Sequence, residues 1–351
     1  MILRSSNIHN NQIVLKDTVH VSPEIVNTSN VNVNDIIVVV RNGSRKLIGK
    51  HARVLKAMPN TVIGAFMTGI RSQNGKFVNA LFDGDIFQRE IYKNLGATIN
   101  QITIKSFKEM EFYIPQNHEK QIIGNLISQI DNLLALQQRK MDNLSKIQKS
   151  LENNLFPDIN HVRKLKASKN NWHTKKLNNI FNERKKYDQY GQLLSVSMTK
   201  GVYPFNPSER KDNSSSNKSN YKVVRKGDIA YNSMRMWQGA CGVSKYDGIV
   251  SPAYTVITPE SNEDASFYYY YFKNNRMKFE FRRHSQGLTS DTWNLKFPLF
   301  KDITIEVPNN EKEQIRIRKL LDTLNEAIKH GNGRIRKLKL LKSFLLQKMF
   351  I

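Results

Sequence analysis

The chain of 351 residues has a single cysteine, Cys241. A disulfide framework and a multi-cysteine zinc site are both excluded. The eight histidines are scattered, and none stands at metal-ligand spacing to another. Long hydrophobic runs are absent too. The longest aliphatic stretch, Ile36–Val40, is far too short to span a bilayer. The opening residues, Met1–Asn10, are polar and lack the apolar core of a secretion signal. A soluble, cytoplasmic protein is the expectation. Acidic residues are scarce: 30 Asp and Glu face 55 Lys and Arg, a formal charge of +25. Such an excess repels itself unless a polyanion offsets it. Nucleic acid is the usual polyanion, since basic groups gain affinity by releasing phosphate counterions. A generally basic chain and an acidic membrane surface are the blander alternatives.

Catalytic motifs are also missing. No Gly-rich loop ends in Lys-Ser or Lys-Thr to cradle a phosphate. Asn206-Pro207-Ser208 is the nearest approach to a base-flipping methyltransferase motif, but it lacks the second proline and the aromatic. Pro157-Asp158 resembles the start of a nuclease motif without the acid-x-Lys partner, and reads as a cap or linker. Cys241, in a Gly-Ala-Cys-Gly turn, reads as a small packed residue. No catalytic residue and no metal ligand is expected.

What the chain does contain is a repeat. Residues 119–156 match residues 313–350 at a constant shift of 194, without a gap. Glu119 falls on Glu313, Ile123 on Ile317, Leu144 on Leu338 and Phe156 on Phe350. Both copies carry apolar residues at alternating steps of four and three, the spacing of a helix-pairing seam. The first seam runs Ile123, Ile127, Ile130, Leu134, Met141, Leu144, Leu151 and Leu155, interrupted by Gln137 and Gln148. The second runs Ile317, Leu321, Leu324, Ile328, Ile335, Leu338, Leu345 and Met349, interrupted at the same places by Gly331 and Lys342. Each copy would make a rod of about 57 Å. Gly331-Asn332-Gly333 is expected to bend or break the second near its middle. Two unrelated amphipathic helices, each packed on its own domain, are the alternative.

The segments before the helices correspond more weakly, at a shift of 193. Asn34-Asp35-Ile36 matches Gly227-Asp228-Ile229, Gly49 falls on Gly242, and Phe107 on Phe300. Tyr113-Ile114-Pro115 matches Glu306-Val307-Pro308, where the prolines are expected to end a strand before the helix. Asp35–Val40, Leu194–Ser197, Tyr254–Ile257 and Ile303–Val307 read as strands. Residues 212–220 read as a mobile polar loop. The second segment has about twenty residues from Trp172 onward with no counterpart in the first. A shortened, less stable first domain is the expectation.

The order domain, helix, domain, helix resembles the specificity subunit of type I restriction-modification systems. The strongest local match is residues 227–239 (GDIAYNSMRMWQG) followed by 244–254 (SKYDGIVSPAY), which resembles one class of target recognition domain. The helix ends SLENNLF and SFLLQKMF are similar to the family's conserved regions. The resemblance implies a mixed α/β fold. Two strand- and loop-rich target recognition domains, at 1–115 and 158–308, are separated by long antiparallel helices at 116–157 and 309–351. It implies a reader of a bipartite double-stranded DNA site with no chemistry of its own, whose helices hold the domains apart; rigid helices of fixed length are expected to set the gap between half-sites. Two modification subunits using S-adenosylmethionine would methylate adenine. Restriction subunits using ATP and Mg would make the nuclease. A basic coiled-coil adaptor, or a fragment of a single-chain restriction-methylation enzyme, are the rival readings.

Base reading needs donors and acceptors at base edges, with basic groups on the phosphates around them. Lys200, Asn232, Arg235, Gln238, Arg282, Arg283 and Thr289 are the candidates in the second segment, and Arg41, Arg45, Lys46 and Lys50 in the first. Tyr268–Tyr271 invites a base-stacking role, but adjacent aromatics point to several faces of one element and read mostly as core.

Overall fold

The computed structural model describes residues 1–96, 100–156, 172–206, 208 and 214–350. Pro157-Asp158, Pro207 and the start of the 212–220 loop therefore lie outside the described residues. The fold is mixed α/β, and the chain divides into two compact units, Met1–Met141 with His330–Ile351, and Asp142–Lys329.

In the first unit, β1 (Ile2–Leu3), β2 (Ile8–His9) and β3 (Gln12–Ile13) precede β4 (Ile36–Val39), β5 (His51–Arg53), β6 (Val62–Ile63) and β7 (Met67–Ile70). Three helices follow, α1 (Gly75–Asp83), α2 (Asp85–Asn94) and α3 (Ile104–Lys108), and then the long α4 (Asn117–Leu155). The fully buried Ile36–Val39 is the middle of an antiparallel sheet ordered β5-β4-β7. Leu3 belongs to a strand of two residues that pairs in parallel with β6.

The second unit holds β8 (Trp172–Lys176), β9 (Phe181–Glu183), β10 (Leu194–Ser197), β11 (Gly201–Pro204), β12 (Lys222–Val224) and β13 (Ile229–Asn232). Next come β14 (Cys241–Val243), β15 (Gly248–Val250), β16 (Tyr254–Pro259), α5 (Ala265–Lys273) and α6 (Asn275–His284). The element order ends with α7 (Phe297–Phe300), β17 (Thr304–Pro308) and α8 (Glu311–Met349), and α4 from Asp142 on belongs to this unit while α8 from His330 on belongs to the first. Its main sheet is antiparallel, ordered β14-β13-β16-β9. Tyr268, Tyr270 and Tyr271 on α5 are buried in the core with Phe267, Phe272 and Phe300. Burial pushes the Cys241 thiol up to about 11, as expected for a packed residue and not a nucleophile.

The repeat extends to turn chemistry. Asn34 and Gly227 both take left-handed φ, at 75° and 94°. The next residue in each copy is a buried aspartate that caps its own turn. Asp35 Oδ2 accepts from Asn32 N at 2.8 Å, and Asp228 Oδ2 from Arg225 N at 2.7 Å. Each aspartate is gripped by two nitrogens of an arginine, Arg71 or Arg184. Gly49, however, does not correspond to Gly242. Val38 pairs with His51 where Tyr231 pairs with Cys241, so the loop of the first unit is longer. The left-handed glycine after the turn is Gly49 (φ 82°) in one unit and Gly239 (φ 80°) in the other.

The expected strand at Tyr113-Ile114-Pro115 does not form, although β17 does. The reason is pairing. β17 lies against β8, and β9 extends the sheet beyond β16. Among the described residues the first unit has no counterpart of β8 or β9, and Tyr113 is left 93% exposed.

All sixteen apolar seam residues are buried or half-buried. Their pairing is antiparallel within each unit. In the first unit, Lys342 Nζ reaches Asp131 Oδ1 at 2.5 Å and Asp83 Oδ2 at 2.7 Å. In the second, Gln148 Nε2 donates to Asn325 Oδ1 at 3.0 Å. Gln148 and Lys342 are equivalent in the repeat, as are Asp131 and Asn325, so one contact is made twice with different chemistry. The outer seam residues also join domain cores. Ile123, Ile127 and Ile130 pack with Phe77, Leu346 and Phe350, while Ile317 and Leu321 pack with Phe156 and Phe267.

Of the expected bend or break at Gly331–Gly333, the break is overturned, because α8 runs unbroken through both. A Cβ on Gly331 would lie 1.9 Å from Met141 Sδ, so this glycine makes room for the facing helix. Gly333 meets nothing within 4 Å. Gly333→Ala should therefore stabilise the chain by about 1 kcal/mol through helix propensity. Gly331→Ala should bring no such gain, because overpacking costs about 1–3 kcal/mol. Denaturant midpoints of the two variants check the contrast.

Burial alone would raise the Asp83 carboxyl, but the hydrogen bond from His51 and the charge of Lys342 outweigh it and hold it below the ordinary range. Asp131 goes the other way, since burial raises it more than Lys342 lowers it. Asp83 thus stabilises the fold above its unfolded value, near 4, and this contribution fades as pH falls below it. Lys342→Ala should cost about 3–5 kcal/mol at neutral pH. The deficit should shrink below about pH 4, where neutral carboxyls need no cation. Gln148→Ala should cost only about 1 kcal/mol. Unfolding curves across pH would measure both.

Candidate nucleic-acid interface

In the second unit the residues singled out in the sequence fall on three loops, except Arg282 and Arg283, which lie in the last turn of α6, and the structure ties the loops together. The first is the turn between β10 and β11, which carries Lys200. The second follows β13 and carries Asn232, Arg235 and Gln238. The third is the excursion from 285 to 294 after α6, which carries Thr289. Lys273, at the end of α5, links the first two: its Nζ donates to Met198 O at 2.6 Å and Gly239 O at 2.5 Å. Burial lowers this amine from its ordinary value. Trp237 and Trp293 link the second and third loops, edge to face at 5.1 Å. Leu295 N donates to Ser233 O at 2.8 Å beneath them.

Each candidate then has a definite setting. Lys200 is exposed, its ammonium 5.2 Å over the Tyr203 ring. Asn232 Oδ1 accepts from Met234 N at 3.0 Å, so half of its amide is committed to shaping the turn. Arg235 is half-buried, its Nη2 3.9 Å from Asp291 Oδ1 and its Nη1 donating to Ser290 O at 3.5 Å. Gln238 is half-buried in the three-residue turn Met236–Gln238. The Arg282 guanidinium lies over Trp293 at 4.9 Å. Arg283 is exposed and paired with Glu280 on its own helix at 3.1 Å. Thr289 is exposed, and its carbonyl accepts from the Thr292 and Trp293 amides.

The first unit repeats the arrangement with other side chains. Arg41, Arg45, Lys46 and Lys50 occupy the loop between β4 and β5, the counterpart of the β13–β14 loop. Arg45, Lys46 and Arg41 are exposed and Lys50 is half-buried. Arg41 lies over the half-exposed Phe66 ring at 5.0 Å. Asn42 N donates to Asn100 O, and Asn100 Nδ2 to Gly43 O at 3.0 Å. Ile102 N donates to Val40 O at 2.8 Å, the counterpart of the Leu295–Ser233 bond.

Sequence reasoning missed Lys273, Trp237, Trp293 and Asp291, whose side chains contact these loops or join them. Two of the chain's three tryptophans lie here, the one compositional signal that pointed to them. Among the described residues no cluster of His, Cys, Asp or Glu is placed to hold a metal ion, and no helix is long and apolar enough to cross a membrane. What the loops offer is donors of hydrogen bonds and positive charge on a fixed frame.

Trp293→Ala should loosen the 285–294 excursion by removing both the Trp237 contact and the Arg282 platform. Faster amide exchange at Thr292 and Asn294, with β13 and β16 unchanged, is the expected result.

Residues 169–340 match the type I restriction modification DNA specificity domain. The crystal structure of the type I restriction-modification S subunit from M. genitalium aligns over 99% of this chain and 91% of its own, at 18% identity and a TM-score of 0.62. The HsdS subunit from Thermoanaerobacter tengcongensis aligns over 99% and 89%, at 15% identity and a TM-score of 0.47. No curated protein matches the chain.

Proposed function

We propose that the chain, whose residues 169–340 match the type I restriction modification DNA specificity domain, is the DNA-reading subunit of such a system and carries out no chemistry itself. The observation that carries the reading is the assembly of Lys200, Arg235, Gln238 and Thr289 on three tied loops, with Arg282 beside them at the end of α6, in a chain of charge +25. Arg235 and Gln238 have the donors to take a purine edge bidentately. Lys200, Arg45 and Lys46 suit phosphates. The matching loop of the first unit supplies a second reading surface, which fits a site of two parts.

Under this proposal adenine methylation belongs to two modification subunits that hold S-adenosylmethionine. Cleavage belongs to restriction subunits that use ATP and Mg. This chain binds none of these cofactors. In support of docking, both long helices leave large apolar side chains in solvent away from the seam. Ile122, Leu133, Leu136 and Ile147 do so on α4, and Leu320, Leu340, Leu341 and Phe344 on α8. Of these, Ile147 and Leu341 are equivalent in the repeat.

The test compares two variants on a selected duplex site and on random duplex. Arg235→Ala should lose about 1–3 kcal/mol of discrimination. Lys200→Ala should weaken all sequences alike and lower the salt slope by about one unit. Equal, sequence-independent losses from both would defeat the assignment of Arg235. A parent chain whose binding ignores salt would defeat the DNA reading itself.

A further inference from the structure

The loop from Ser285 to Asn294 is built as a rigid finger. Gln286 and Asn294 pair across its base, with amide–carbonyl bonds of 3.1 and 2.8 Å. Gly287 takes φ +139°, and a Cβ there would lie 2.6 Å from the Thr292 backbone, so the turn requires glycine. Thr292 Oγ1 accepts from Thr289 N at 3.1 Å and donates to Thr289 O at 3.0 Å. The base is braced by the Trp237–Trp293 contact and by Arg282 over Trp293.

This frame presents one apolar side chain, Leu288, completely to solvent. A lone exposed leucine is ordinary on a surface. Leu288 differs in being held at the tip of a braced hairpin that is continuous with the basic loops described above. Behind it lies the one acidic side chain of the finger, Asp291, beside Arg235.

We propose that the finger enters the major groove of duplex DNA. Leu288 there packs on the C5-methyl of a thymine, and Asp291, with the Ser290 carbonyl, positions Arg235 for a neighbouring guanine. The proposal rests on the DNA-reading function. The major groove admits elements as wide as a helix or a two-stranded ribbon, so a narrow loop closed by one bridge fits it, and the thymine methyl is the apolar group its base edges offer there. Arg235 meets Asp291 on one side of its fork and the Ser290 carbonyl on the other, which leaves remaining donors to reach outward. The Asp291 carboxylate also repels phosphate, so it opposes backbone-only binding while keeping Arg235 in place.

The experiment uses the full chain and a duplex library from which its preferred site is selected. Each thymine of that site is then replaced by deoxyuridine, which lacks only the methyl. One replacement should weaken the parent about fourfold, the worth of one buried methyl group. The same replacement should leave Leu288→Ala unaffected. Leu288 is wholly exposed, so this variant keeps its fold. Asp291→Asn should relax preference at one guanine about tenfold and tighten binding to random duplex. A selected site without thymine, or deoxyuridine effects that persist in Leu288→Ala, overturns the Leu288 contact. Unchanged guanine preference in Asp291→Asn overturns the positioning role. A parent that selects no duplex sinks the DNA-reading function, and the proposal with it.

Discussion

A carboxylate buried in the first unit takes its cation from 259 residues further along the chain. Asp83 closes α1 and is covered by His51 from β5, but neither strand nor helix nearby supplies a fixed positive charge. Lys342 does, and the same ammonium neutralises Asp131 on α4. Leu346 and Phe350 follow it into the core, with Phe350 at 5.6 Å from Phe77. The first unit is therefore incomplete until the last helix has been made. Its folding carries the entropy of a very long loop closure, offset only by contacts that form late.

The same constraint explains why the seam is not a uniform row of leucines. In the second unit the position of Lys342 is Gln148, and Asn325 faces it in place of Asp131. An amide pair and a charged pair are each satisfied only by the partner they have. Two copies of α4 laid antiparallel would set Asp131 against Gln148, and two copies of α8 would set Lys342 against Asn325. Either arrangement strands a partly buried charge opposite an amide. Divergence between the repeats thus favours the pairing of unlike helices, while their common register preserves the pairing itself. Gly331 adds to this, since only the helix carrying it leaves space for Met141.

Periodicity made the helices, their seam and the places of its polar defects legible in the sequence, because a buried face of a long helix repeats many times and averages out local exceptions. The strands β4, β10, β16 and β17 were legible from short β-branched runs. A strand also needs a neighbour, and that is not a local property. Residues 111–115 have the same pattern as β17 and stay unpaired for lack of a counterpart to β8. Gly331 was misread for a related reason. Glycine weakens a helix by its own propensity, yet a facing Met141 turns its missing side chain into an advantage. In the candidate interface the arginines and lysines were visible as charge, but not their supports. Nothing local to Lys273 says that its ammonium joins two loops, and Asp291 becomes meaningful only when Arg235 is beside it.

The two interfaces share a frame and differ at the tips. In each, the strand at the centre of the sheet runs into a loop closed by a left-handed glycine, and a backbone bond below holds that loop to the segment after the second helix. In each, an arginine lies flat on an aromatic ring, Arg41 on Phe66 and Arg282 on Trp293. The arginine comes from the strand loop in one case and from α6 in the other, and the loop of the first unit is longer. The bonds from Ile102 N to Val40 O and from Leu295 N to Ser233 O are backbone to backbone, so they place no demand on side-chain identity. At the tips, side chains such as Arg45, Lys46 and Leu288 are exposed and lie outside the core. A fold organised this way can change what it reads by altering a few exposed residues, with the core and the helix seam left as they are. On the proposed function, that separation is what lets one architecture, used twice in one chain, address two different stretches of DNA.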